Sequence, residues 1–281
     1  MNQNPSLHDL TIVVNTCDAY DDVLGIFFHA LHEFWPDCPY PVVINTESKS
    51  YDHPARVHNH DSHSGADDWG DRLRSTLSSI DTEFVLMLYD DFILDGPVNN
   101  LRVKAALQLL QSQSQAVVSY LIKTNLPLKL QRSSGMFVAL KDKADYRLNS
   151  APAVWRKQAL MNYTAAGDTP WAWEVFGSYR TWGDGRVFYT LAPNLDDIYP
   201  YNHAKGGAIY RGKWVKDVVQ QVANKYDLNI DWSLRGFSSD TVFEKRSWLW
   251  KLRFMQTGFR MVGFKALYFV AGYIKDKLHA R

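Results

Sequence analysis

Two adjacent carboxylates, Asp90 and Asp91, stand inside the otherwise apolar run LMLYDDFIL at 86–94. Successive side chains of a strand point to opposite faces, so both acids can serve one point only if the strand ends near them. At such an end one carboxylate can ligate a divalent cation, Mn2+ or Mg2+, while the other takes a ribose hydroxyl or a metal-bound water. A cation held there neutralises charge on a departing diphosphate. Capping of the next turn, or pairing with a buried arginine, explains an isolated Asp-Asp equally well.

A further acid lies in TPWAWEVFGS at 169–178. Thr169 suits an N-cap and Pro170 a first helical position, which sets Glu174 early in a helix between Trp173 and Val175. Large apolar neighbours raise a carboxyl pKa and make it a better base. The positive end of the helix dipole also favours a glutamate here without any catalytic role. Asp168 is the reserve candidate for the base. Trp171 and Trp173 are candidates for stacking on an acceptor sugar, and aromatic residues on an ordinary helix face serve as core equally often.

Three other segments carry chemistry-bearing residues. The turn 15–20, with Thr16 and Asp18, follows the first strand and is a candidate ligand site, although Asp also suits a plain turn. Asp68, Trp69 and Arg72 open the helix before the Asp pair, with Arg72 one turn on, placed to reach a diphosphate or equally to be a surface arginine on the polar face. In YNHAKGGAIYRGKW at 201–214, His203 is a candidate third metal ligand, and Lys205, Arg211 and Lys213 are candidate diphosphate contacts. Gly206 and Gly207 there allow a close backbone approach. His53, His58, His60 and His63 do not match a closed zinc site, and are read as a loop over the donor site.

These residues need a sheet to hold them. LTIVVN reads as a buried strand, DDVLGIFFHALHEFW as a helix stopped by Pro36, and PVVIN as a second buried strand. Trp69, Leu73, Leu77 and Ile80 share one helix face before the strand EFVLMLYDDF. A helix at about 98–112 and a strand at about 116–120 continue the alternation. Beyond about 130 the expected strands shorten (MFVAL, YRLNS, RVFYT, GGAIY) and mix with the helices VWRKQALMNY and PWAWEVFGSYRTW. The expectation is an α/β fold: a mostly parallel central sheet flanked by helices, binding ligands at the carboxyl ends of its strands. Residues 1–244 form one domain, and 245–281 a helical extension.

The net charge of +1 argues against nucleic acid as a partner, but it hides an asymmetry. Residues 245–281 hold nine basic side chains and one acid, whereas the rest of the chain holds 22 basic and 29 acidic. Trp248, Leu252, Met255, Phe259 and Val262 recur at helical spacing, with Arg246, Arg253 and Arg260 on another stripe. ALYFVAGYI is too short to cross a bilayer, so the expectation is a basic amphipathic tail lying on an anionic membrane surface, the alternative being an apolar stripe packed on the domain with the basic stripe solvated. With only Cys17 and Cys38 and an N-terminus lacking signal-peptide character, the expected location is cytoplasmic, peripheral on the inner face of the membrane.

The strings DDWGDRLRSTLSSIDTEFVLMLYDDFIL, APAVWRKQALMN and TPWAWEVFGS, in that order, resemble bacterial GT-A-fold glycosyltransferases of surface-polysaccharide and lipopolysaccharide clusters. The resemblance spans about residues 10–215. It implies a GT-A-like sheet, a nucleoside-diphosphate sugar donor, UDP-linked above all, and a glycan or lipid-linked acceptor. It makes the Asp pair a DXD-type motif, with Asp91 on the metal, Asp90 on ribose or behind the metal, and Glu174 as the base of an inverting reaction. One departure is plain: Tyr89 stands where the first Asp of that motif would fall. Two other readings remain open, a nucleotidyltransferase on a related sheet and a non-catalytic carbohydrate-binding or scaffold protein. The first lacks a Gly-rich basic loop for a triphosphate, since NTCDAYDD is acidic.

Overall fold

The structure, a computed structural model, describes residues 9–51, 55–59, 69–128, 135–204, 206–228, 230–238 and 247–272. Its first half alternates as the hydrophobic pattern requires: β1 (Leu10–Asn15), α1 (Asp21–Phe34), β2 (Val42–Thr46), β3 (Arg56–Asn59), α2 (Trp69–Ser78), β4 (Phe84–Tyr89), α3 (Asn100–Ser112) and β5 (Ala116–Tyr120). The strands β1 and β4 are near-continuous apolar runs because both sheet faces are covered. Asn99 starts α3 by accepting the amides of Leu101 and Arg102.

β6 (Phe137–Ala139), β7 (Ala153–Arg156) and β8 (Val187–Leu191) complete an eight-stranded sheet of order β3-β2-β1-β4-β7-β5-β8-β6. β1 pairs in parallel with both β2 and β4, and β5 with β8. Only β7 and β6 run the other way. The expected α/β architecture, a mostly parallel central sheet flanked by helices, is what the chain forms.

The second half departs from expectation in detail. VWRKQALMNY is not one helix: Ala153, Val154 and Trp155 are fully buried between β4 and β5, and only Lys157–Tyr163 coils as α4. Sheet pairing on both edges outweighs the helical spacing. YRLNS is irregular, with Tyr146 at φ 54°. GGAIY contributes two residues, Ile209–Tyr210 (β9), to a hairpin with Lys213–Trp214 (β10), and α6 (Lys216–Tyr226) follows. PWAWEVFGSYRTW gives a short helix, α5 (Pro170–Val175), and then a tight turn at Gly177–Arg180.

The C-terminal extension forms α7 (Trp248–Val262), and it packs on the domain. Phe254 and Ala266 join Ala172, Val175, Phe176 and Tyr179 in a small second core. At Gly258 a Cβ would meet the Phe176 ring at 2.5 Å, so only glycine lets the helix approach this closely.

Trp173 is wholly buried, edge-on to Trp69 with ring centroids 5.5 Å apart, and its indole N–H donates to the Tyr163 carbonyl. Trp171, two residues earlier, is 43% exposed. Trp173→Ala is therefore expected to cost about 3–5 kcal/mol in urea unfolding, and Trp171→Ala clearly less. Equal losses would contradict this division of the two rings.

Candidate active site

The ladder between β1 and β4 runs one residue past β4, where the Asp90 amide donates to the Asn15 carbonyl. A turn follows at once, closed by the Phe92 amide on the Tyr89 carbonyl. The two carboxylates thus part. Asp90 turns under the sheet, 2% exposed, and accepts from the Thr16 hydroxyl. Burial, with the charge of Asp91 second, pushes its carboxyl well above the ordinary range. Asp90 is thus buried behind the cleft wall with Thr16 holding it, and of the pair Asp91 is the one that lines the cleft.

Asp91 faces the other way. Its carbonyl accepts from the Ala208 amide, and the chain at Gly207 passes so close that a Cβ there would stand 2.7 Å from Oδ2. Gly207 has φ 153° and sits against the acid, as a close approach requires. Burial pushes the Asp91 carboxyl up to about 7, against amide hydrogen bonds that pull it down.

Asp91 lines a cleft of about 650 Å³ at the carboxyl end of β4. Glu174 forms part of the same cleft, brought there by α5, whose start is set by Thr169 accepting the Ala172 amide and by Pro170 at the first turn. Glu174 accepts from the Ser150 amide at 2.6 Å, and burial raises its pKa while that amide lowers it. Tyr89, Ser150, Trp171 and His203 also line the cleft. The Tyr89 hydroxyl and the Ser150 Oγ are buried without a hydrogen bond of ordinary geometry.

Several expected contacts lie elsewhere. Asp168, the reserve base, is 1% exposed and clamped by both terminal nitrogens of Arg180, at 2.5 and 2.8 Å. It is a structural ion pair and cannot reach an acceptor. Trp173 and Trp69 are core, so neither stacks on a sugar or meets the donor. The Asp18 carboxylate accepts the amides of Ser48 and Lys49 and the Ser48 hydroxyl, which fixes the loop after β2. Arg72 pairs with Glu47 at 2.8 Å. His203 lines the cleft but leans on Asp197 at 3.4 Å, and among the described residues no three acids, histidines or cysteines gather around one point. Arg211 and Lys213 are exposed on the β9–β10 hairpin and outside the cleft wall. His58 belongs to β3 and meets the Ser75 hydroxyl. Asp68, Lys205, His53, His60 and His63 lie outside the described residues.

Residues that the sequence did not mark complete the picture. Glu47 accepts the Asp18 amide on one oxygen and pairs with Arg72 through the other, so it ties the ends of β1 and β2 to α2. Arg235 binds both oxygens of Asp22, donates to the Ala19 carbonyl and lies over the rings of Tyr20 and Trp214. It ties the segment after α6 to the start of α1. No local signal reveals a partner 213 positions away.

The donor set fits a divalent cation in one way. Mg2+ and Mn2+ are often bound through one or two carboxylates plus substrate phosphates, and Asp91 is the member of the Asp pair that lines the cleft.

No family model matches the sequence, and no curated protein matches it. Solved structures that superpose on the chain include residues 1–349 of TarS from S. aureus, 13% identical, covering 92% of this chain and 82% of that one with a TM-score of 0.49. A cytidylyltransferase from Leptospira borgpetersenii is 12% identical over 69% of this chain and 79% of that one, with a TM-score of 0.42. A structure described as a putative nucleotide-diphospho-sugar transferase from Desulfovibrio desulfuricans G20 is 11% identical, over 68% and 83%, with a TM-score of 0.39. None is near enough to transfer a function.

Two outcomes follow from the buried acids. For Asp91 the folded pKa lies above the unfolded one, so the cost of its ionisation accrues between about 3.8 and about 7 and is constant above. Asp91→Asn should leave the melting temperature unchanged near pH 4 and raise it increasingly up to pH 7. A pH-independent difference would contradict the burial. Asp168→Ala leaves Arg180 without its partner and should cost about 3–5 kcal/mol by urea unfolding; a loss under about 1 kcal/mol would show the pair to be dispensable.

Proposed function

We propose that the protein is a GT-A-like glycosyltransferase that moves a sugar from a nucleoside-diphosphate donor, UDP-linked by preference, to an acceptor hydroxyl with inversion. The observation that carries the reading is that Glu174 and Asp91, two desolvated carboxylates from different elements, line one cleft at the carboxyl end of the central strand β4. Crevices at such strand ends are where open α/β sheets bind ligands.

Each residue then has a task. Glu174, its pKa raised by burial, takes the proton of the acceptor hydroxyl as that oxygen bonds the anomeric carbon. The bond from that carbon to the diphosphate breaks, and the diphosphate leaves with its electrons. The Ser150 amide holds the Glu174 carboxylate in place. Trp171, exposed at the wall, offers an apolar face to a sugar ring. Asp91 would hold a divalent cation, which when bound would neutralise charge on the departing diphosphate.

The resemblance in motif order supports a growing bacterial surface glycan or a lipid-linked sugar as acceptor. A nucleotidyltransferase is the weaker reading, because the turn after β1 and the start of α1 carry Asp18, Asp21 and Asp22 where a triphosphate calls for cations and glycines. A scaffold protein has no need for a desolvated acid in a cleft.

The test is the slow release of UDP from UDP-sugars with Mn2+ present, followed against pH. The rate should rise with pH through an ionisation above the ordinary glutamate value of 4.5. Glu174→Gln should lower it by about 100-fold or more and remove that limb without lowering the melting temperature. Unchanged turnover in the variant would remove Glu174 from the chemistry.

A further inference from the structure

α7 has two apolar faces, and the domain covers one of them. Phe254 and Gly258 point inward at the Phe176 ring. With about 100° between successive residues, Trp248, Leu252 and Phe259 fall together on the opposite side. They are 68%, 54% and 39% exposed. In the turn beyond α7, Phe264, 86% exposed, continues this surface with its ring edge-on to Phe259 at 6.5 Å. Exposed apolar side chains normally occur singly, whereas a contiguous patch marks a docking surface.

Charge identifies the occupant. Residues 247–272 contain Lys251, Arg253, Arg260 and Lys265 and no acid. On the helical wheel Lys251 flanks the apolar stripe on one side, and Arg253 and Arg260 flank it on the other. All three are exposed. An apolar centre edged by cations, with Trp248 carrying an amphipathic ring, is the pattern of a helix lying in the surface of an anionic bilayer. Among the described residues no helix is long and apolar enough to cross a membrane.

We propose that the outward face of α7, with Phe264 in the turn after it, docks on an anionic lipid bilayer, and that α7, through its inner side, joins that surface to the wall of the Glu174 cleft. The link between the two is Trp171. Its ring stacks on Phe254 at 4.1 Å and Trp250 at 4.8 Å, and it lines the cleft together with Glu174. Docking stands on the exposed face alone; delivery of a lipid-borne acceptor to the cleft rests also on the transfer reading.

Cosedimentation of the whole chain with phosphatidylcholine vesicles, with and without phosphatidylglycerol, tests the docking. The protein should pellet only with the anionic vesicles, and less so at high salt. Leu252→Glu with Phe259→Glu, and separately Arg253→Glu with Arg260→Glu, should each abolish pelleting at an unchanged melting temperature. On the unaltered protein, brominated phosphatidylglycerol should quench tryptophan emission, and Trp248→Phe should remove most of that quenching. Absence of pelleting with anionic vesicles overturns the proposal. So does a dimer in sedimentation velocity that the Leu252→Glu, Phe259→Glu variant dissociates, because the face then belongs to a second copy of the chain. The docking test uses no sugar donor, so its failure and the failure of the transfer reading are separate results.

Discussion

Asp90 and Asp91 part at the end of β4, and the rest of the site depends on that parting. The ladder to β1 extends as far as the Asp90 amide and then stops. One carboxylate is thereby driven beneath the sheet against Thr16 while its neighbour turns into the cleft. Taking both acids from water is costly, and the folded state bears that cost in raised pKa values. A sheet designed for stability alone has no reason to carry it. Stability given up at a strand end is an ordinary signature of a functional site.

Glu174 meets the same constraint from another direction. The Thr169 cap and Pro170 fix where α5 begins, and β7 and the tryptophans around it fix where α5 rests. The helix therefore delivers one acid to the cleft and one indole, Trp173, to the core. Asp168, just before the cap, is taken by Arg180 and steadies the turn from which α5 starts. Two acids six residues apart thus differ in setting, because Asp168 is charge-paired and Glu174 has no cation partner among the described residues.

Periodicity made the first half of the fold legible. Strands buried on both faces and helices with one apolar stripe leave clear patterns from β1 to β5, and the positions of Asp91, Glu174, Trp171 and His203 on one cleft were within reach of that reading. The second half was harder. β7 reads as part of a helix because its neighbours in the sheet, β4 and β5, are distant in the chain. Trp171 and Trp173 could not be told apart, since the face a short helix buries depends on what packs against it. Arg72 with Glu47 and Arg235 with Asp22 are long-range pairs with no local trace. Tyr89 in place of an acid was visible; the buried hydroxyl it brings to the cleft wall was not.

The tail shows why composition alone underdetermines a helix. Its pattern fits equally a helix on the domain and a helix on a surface, and α7 has apolar faces for both.

The central claim is that Asp91 anchors a nucleoside diphosphate through a divalent cation. The most direct measurement is the melting temperature of the whole chain with UDP, and with other nucleoside diphosphates, in Mn2+ or in chelator, for the natural sequence and for Asp91→Asn. A ligand at about a hundred times its dissociation constant adds about 2.7 kcal/mol, a shift easily read. The account predicts stabilisation that needs both the cation and Asp91, whatever the starting stability of the variant. Equal stabilisation in chelator, or in Asp91→Asn, would contradict it.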